Sequence, residues 1–292
     1  GITTGDKSWP MTAPDRLRDY DSHRAAAGLQ TRDGHTGEAQ IFIVRIVANL
    51  LILCLELGAI VGLAALGFYQ PFAFAGATSV VALLFGARLE YARLKNELTF
   101  YFEGRTPPAG MFTGVVALSE ALFKAILAGV VALVTFSGTD QSRLFWVALV
   151  FAACVFAGSS GLRWLANRFG ISLGRWGYFR IAAPLGLLFS LALTLLVAYA
   201  ALPVPTVGKI VWETILNTPA RPTIAQASEL LFLVKLKLDE LFLILLRVFL
   251  NDRTAAVAAV LTSVNMLTGF IIGLYAIIVA EMVAWFEQRA PG

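Results

Sequence analysis

The sequence predicts an all-α fold, a polytopic membrane helix bundle of about six transmembrane helices with surface or re-entrant amphipathic helices between them. Three observations predict it. Only 14% of the 292 residues are charged, against roughly 25% in soluble domains. The chain is 58% hydrophobic with a mean hydropathy of +0.74. The apolar residues also come in blocks of about 20, the length a bilayer core requires, separated by short polar joints.

Residues 1–40 form a polar tail near charge balance. It lacks the apolar stretch of a secretory signal peptide. Residues 1–10 precede Met11 and are read as an engineered remnant or as the end left by processing of an organellar precursor. A tail of this composition is expected to order only by docking on a partner. Residues 41–292 are expected to form a single transmembrane domain.

The first span is expected over 41–69, with Arg45 near its start able to snorkel to the headgroups. Gln70–Pro71 then makes a hairpin, and proline suits a first helical turn because its missing N–H costs little there. The second span is expected over 72–90. Arg88 to Glu103 reads as a charged surface helix with Glu90, Arg93 and Glu97 on one face, closed by Gly104 and Pro107–Pro108. The third span is expected over 111–136 and the fourth over 144–162. The segment Arg163–Arg180, rich in Arg, Trp and Tyr, has the composition of a membrane–water boundary. The fifth span is expected over 181–202, followed by a Pro- and Thr-containing loop to residue 223.

Residues 224–250 carry six charges on an otherwise Leu- and Phe-rich segment. At 100° per residue, Glu229, Glu240 and Arg247 align, and Lys235, Lys237 and Asp239 flank them. So wide a polar face predicts an in-plane or re-entrant amphipathic helix. A span packed against the bundle interior is the alternative. The last span is expected over 255–286.

Lys and Arg concentrate before residue 41, after the second span and after the fourth, whereas the joint between spans three and four holds only Arg143. This alternation places the N-terminus on the cytoplasmic or matrix side of a bacterial or organellar inner membrane. The C-terminus shares that side if 224–250 does not span. The six basic residues of 203–254 run against this orientation, although long loops weigh less in the rule.

Charges within spans mark the candidate site. Glu56 lies deep in the first span, and Glu120 and Lys124 lie one helical turn apart in the third. At about 1.5 Å rise per residue, Glu56 and Lys124 reach similar depths and could pair. A charge at mid-bilayer costs at least ~2.5 kcal/mol, so these groups read either as an ion or proton path or as an ion pair that locks helix register. Gly58–Gly62 and Gly269–Gly273 are GxxxG pairs that permit close helix approach. Ordinary packing within the bundle is their first reading, and a dimer face is the second. Thr262, Ser263, Asn265 and Thr268 form a polar stripe in the last span, suited to bonding a neighbouring helix or lining a pore. Glu281 beside Trp285 reads as an interfacial anchor.

Several chemistries lack their residues. The only histidines, His23 and His35, lie in the tail, so no span offers a haem ligand pair or a Ser–His dyad. Cys54 and Cys154 have no CxxC neighbour and read as small apolar residues. No metal site, cofactor motif or catalytic constellation is expected, and no basic stripe suggests nucleic acid. The chain is therefore read as a non-enzymatic membrane protein. Its partners would be the bilayer and either other membrane subunits or copies of itself. A non-catalytic subunit of a larger assembly is the first reading, and a homo-oligomeric channel or small transporter is the second.

Overall fold

The computed structural model describes residues 44, 46–101, 110–198 and 223–289. The polar tail, Arg45, the stop at Gly104–Pro108, the end of the fifth span beyond residue 198 and the loop 203–222 lie outside the described residues. Cys54–Phe286 forms one compact unit, and the contacts below all belong to it. Every regular element among the described residues is helical.

Helix α1 (Ile46–Tyr69) ends at Gln70, and α2 (Pro71–Tyr101) starts on the proline. The hairpin is continuous in hydrogen bonding, since Gln70 N–H donates to Leu66 O and Phe74 N–H to Gln70 O, both at 2.9 Å. Helix α2 does not divide into a span and a separate surface helix, which corrects the sequence reading. No Gly or Pro stands between Ala87 and Tyr101, and Arg, Leu, Glu, Ala and Lys there favour continuation. Helix α3 (Gly110–Thr135) packs antiparallel on α2. Gly86 lies against Ala121, and Gly129 against Ser79.

Helix α4 (Gln141–Phe169) is longer than its apolar block. Asp140 caps it by accepting from Ser142 N–H at 3.0 Å. Gly170, with φ 64°, closes it by donating to Ala166 O at 2.9 Å. Helices α5 (Leu173–Arg180) and α6 (Ala182–Ala198) meet at a 56° bend. Helix α7 (Ile224–Phe249) falls within the segment 224–250, with Leu250 as its C-cap, and starts on a reciprocal Thr223–Gln226 capping box.

The last apolar block is not one helix, a second correction. It divides into α8 (Asp252–Thr262), a 3-10 turn (Val264–Leu267) and α9 (Thr268–Arg289). Ser263 leaves helical geometry at ψ 145° and accepts from Asn265 N–H at 3.1 Å. Such short polar side chains compete with the helix for its own backbone groups. The polar stripe predicted along this span thus coincides with the break.

Among the described residues, five helical segments (α1 to α4 and the broken α8–α9 run) are long and apolar enough to cross a membrane, six if the bent α5–α6 pair counts as one. The protein is a membrane-embedded helix bundle, and α7 is not among its candidate spans. Helix α9 is central, with Ile271, Ile272, Leu274, Ala276 and Ile277 all buried. Rings of Phe74, Phe136, Phe151 and Tyr275 meet around it at centroid distances of 5.1–6.3 Å. Thr78 and Tyr275 hydroxyls bond at 2.7 Å, and Thr135 and Thr268 at 2.8 Å, tying α9 to α2 and α3.

Candidate functional site

The charges expected to form one group fall into two. Glu56 projects from the buried face of α1, the one that carries Ile60, Ala64 and Gly67. It is 1% exposed. Its carboxylate accepts from Ser159 Oγ at 2.7 Å and from Arg163 Nη2 at 2.8 and 3.1 Å, both on α4. A carboxylate so buried requires this compensation.

Lys124 does not meet Glu56. Its ammonium contacts Glu90 on α2. Glu90 is 0% exposed, although its charged neighbours in sequence suggested a surface position. Burial follows from the packing of α3, which lays Lys124 over it. The contacts then continue along α2. Arg93 Nη1 lies 3.4 Å from Glu90, and Arg93 Nε donates to Glu97 at 2.6 Å. Lys124, Glu90, Arg93 and Glu97 therefore form a ladder of alternating charge that leads from the α2–α3 interface to an open cleft walled by Arg93 and Glu97.

Two aromatic residues of α5 border this ladder. Lys124 Nζ lies 5.8 Å from the centre of the Tyr178 ring, and the Arg93 guanidinium 5.6 Å from that of Phe179. The Tyr178 hydroxyl is buried against Gly86 and has no hydrogen-bond partner among the described residues. Glu120 is half-buried on the turn before Lys124 and acts on Tyr178 and Arg93 electrostatically, without an ion pair among the described residues. Sequence reasoning missed Arg163, Ser159 and Tyr178. Arg163 follows an apolar block directly, so its boundary position concealed that α4 continues through it.

The charges of α7 do not share one wet face. Lys235 is 4% exposed, within electrostatic reach of Arg143 of α4 and of Asp239. Burial, the Arg143 charge next, pushes its ammonium down to about 7, and Asp239 opposes this in part. Phe232 stacks under Arg143 at 3.8 Å, and Gly138 N–H donates to Ser228 Oγ at 3.0 Å, so α7 docks on the α3–α4 turn. Lys237 pairs with Glu240 at 2.6 Å and Arg247 with Asp252 at 3.4 Å, while Glu229 is exposed. Asp239 accepts from Val264 N–H at 2.9 Å, placing a carboxylate on the break of the last span.

The two glycine pairs separate. Gly269 abuts the backbone of Ala182 and Gly186, and Gly273 meets Ile181, so this pair joins α9 to α6. A Cβ at Gly58 or Gly62 would meet nothing within 4 Å. Glu281 lies against Gly174 of α5, within electrostatic reach of Arg88. Among the described residues no group of three His, Cys, Asp or Glu side chains could hold a metal ion. Comparison with family models, curated proteins and solved structures finds no match to this chain.

Proposed function

We propose that this chain is a non-catalytic integral-membrane subunit of a larger membrane assembly. The observation that carries the reading is the division of α1 into two faces. One face is clamped to the bundle by Glu56 on Arg163 and by Gly67 against Phe136. The other bears Cys54, Gly58 and Gly62 at helical spacing, exposed, with open space over both glycines. Small residues at this spacing admit a second helix at close range. The buried carboxylates support the reading as well. Glu56 and Glu90 are both engaged by cations and join α1 to α4 and α2 to α3, a structural use of charge. The cation-rich end of the bundle, with Arg93, Arg175 and Arg180, would face the cytoplasm or matrix.

Native mass spectrometry after extraction in mild detergent tests this directly. Other chains should accompany the protein, and oxidative cross-linking at Cys54 should capture one of them. Recovery of the chain alone, or only as copies of itself, sinks the subunit reading.

One observation favours a channel or small transporter instead. The last span is discontinuous, and Asp239 reaches its break. Broken helices beside carboxylates are common at transport sites. This reading requires cation or proton flux in liposomes that Lys124→Met or Glu56→Gln alters. Flux unchanged by both substitutions excludes a path through those groups.

A further inference from the structure

The cleft at the end of the charge ladder has a composition of its own. Its volume is about 670 Å³, and Arg93, Glu97, Arg175, Trp176, Phe179 and Arg180 contribute to its walls. Three cations face one carboxylate, and Arg93 is already engaged by Glu90 and Glu97. Arg175 and Arg180 are exposed and have no ion-pair partner among the described residues. The cleft therefore presents two uncommitted guanidinium groups, which are suited to bidentate contact with phosphate oxygens. Beside them Trp176 and Phe179 are only partly covered, at 37% and 38% exposure. These rings lie on the short helix between the end of α4 and the bend into α6, where the chain leaves one apolar span and enters the next. An indole at that level favours the glycerol and upper acyl region of a bilayer.

We propose that this cleft binds the headgroup of an anionic phospholipid, with Arg175 and Arg180 on the phosphate and Trp176 and Phe179 against its glycerol and first acyl carbons. A free phosphate would satisfy the arginines and leave the rings uncovered. A zwitterionic lipid would bring a choline cation into a cleft that already has surplus positive charge. The ligand class is therefore a phosphodiester lipid with net negative charge. The site is independent of whether α1 docks a partner.

The test is native mass spectrometry of the full chain with equimolar phosphatidylglycerol and phosphatidylcholine. Wild type should retain phosphatidylglycerol with a preference on the order of tenfold, as two arginines at an anionic surface imply. Arg175→Gln with Arg180→Gln should bring the preference near unity. Arg175→Lys with Arg180→Lys should keep most of it, and Arg168→Gln, an exposed cation outside the cleft, should keep all of it. Glycerol 3-phosphate should compete only at concentrations far above those of the lipid. Equal retention of both lipids by wild type overturns the site. So does undiminished preference in the double glutamine variant, and so does displacement of the lipid by glycerol 3-phosphate at matched concentration.

Discussion

Arg163 of α4 places a single nitrogen, Nη2, on both carboxylate oxygens of Glu56 in α1, at 2.8 and 3.1 Å. Removing one partner leaves the other charge uncompensated in a nearly dry position. Arg163→Leu is expected to destabilise the protein by roughly 3 kcal/mol, the lower end for a broken buried pair because Arg163 retains some solvent contact. Glu56→Leu combined with Arg163→Leu should recover most of that loss, since neither charge then remains to be desolvated. Thermal unfolding in one detergent, followed by tryptophan fluorescence across the single and double variants, checks the ordering. A double variant less stable than Arg163→Leu contradicts it.

The two GxxxG pairs are expected to respond oppositely to a methyl group. At Gly269 a Cβ would run into the backbone of Ala182 and Gly186, which cannot rotate aside. Gly269→Ala should therefore force α6 and α9 apart at a cost of about 3 kcal/mol. At Gly58 the same substitution meets nothing and gains helix propensity, up to about 1 kcal/mol. Melting temperatures of the isolated chain should fall for Gly269→Ala and hold or rise for Gly58→Ala. Gly58→Leu should then reduce recovery of partner chains without lowering that melting temperature.

Much of the bundle was legible because its signals are local. Apolar blocks give spans, and Gln70–Pro71 gives a hairpin. The ion pairs were not legible, for a physical reason. Depth along a helix can be counted from sequence, but which helix lies alongside cannot. Glu56 and Lys124 were matched by depth, whereas packing sets α4 beside α1 and α2 beside α3. Glu90 was misplaced because surrounding charges resemble a wet surface, when one of them, Arg93, and a lysine from another helix supply the compensation for its burial. The break at Ser263 carried a signal in Thr262, Ser263 and Asn265, read as a stripe along a continuous helix. Their close succession was the stronger feature.

Lys235 sets a pH dependence with a definite sign. Its ammonium titrates at about 7 in the folded protein, pushed down from 10.5 first by burial and next by Arg143, with Asp239 acting the other way. Between these values the unfolded chain holds a proton that the folded chain has released. Stability from this group therefore rises with pH across that window and is lowest, and flat, below it. Lys235→Met removes the effect. Wild type should be less stable than Lys235→Met at pH 6, and the gap should begin to narrow above about pH 7 and keep narrowing towards pH 9.5. A gap in melting temperature that stays constant with pH means that Lys235 does not change protonation on unfolding.

Asp239 and Val264 make the break of the last span a property of two helices. Val264 N–H begins the 3-10 turn, and without the Asp239 carboxylate it would lack its acceptor at a place where α8 has already ended. Ser190 of α6 holds the other side by donating to Val260 O at 2.8 Å. A charge-assisted bond of this kind contributes about 1.5–3 kcal/mol. Asp239→Ala should accordingly speed hydrogen exchange at 263–267 by about tenfold or more, with little change in the aromatic centre around Tyr275. Asp239→Asn, which keeps an acceptor oxygen, should fall between. If α7 holds the break only by apolar contact, exchange at Val264 will be the same in all three proteins, and the carboxylate will have no part in shaping this span.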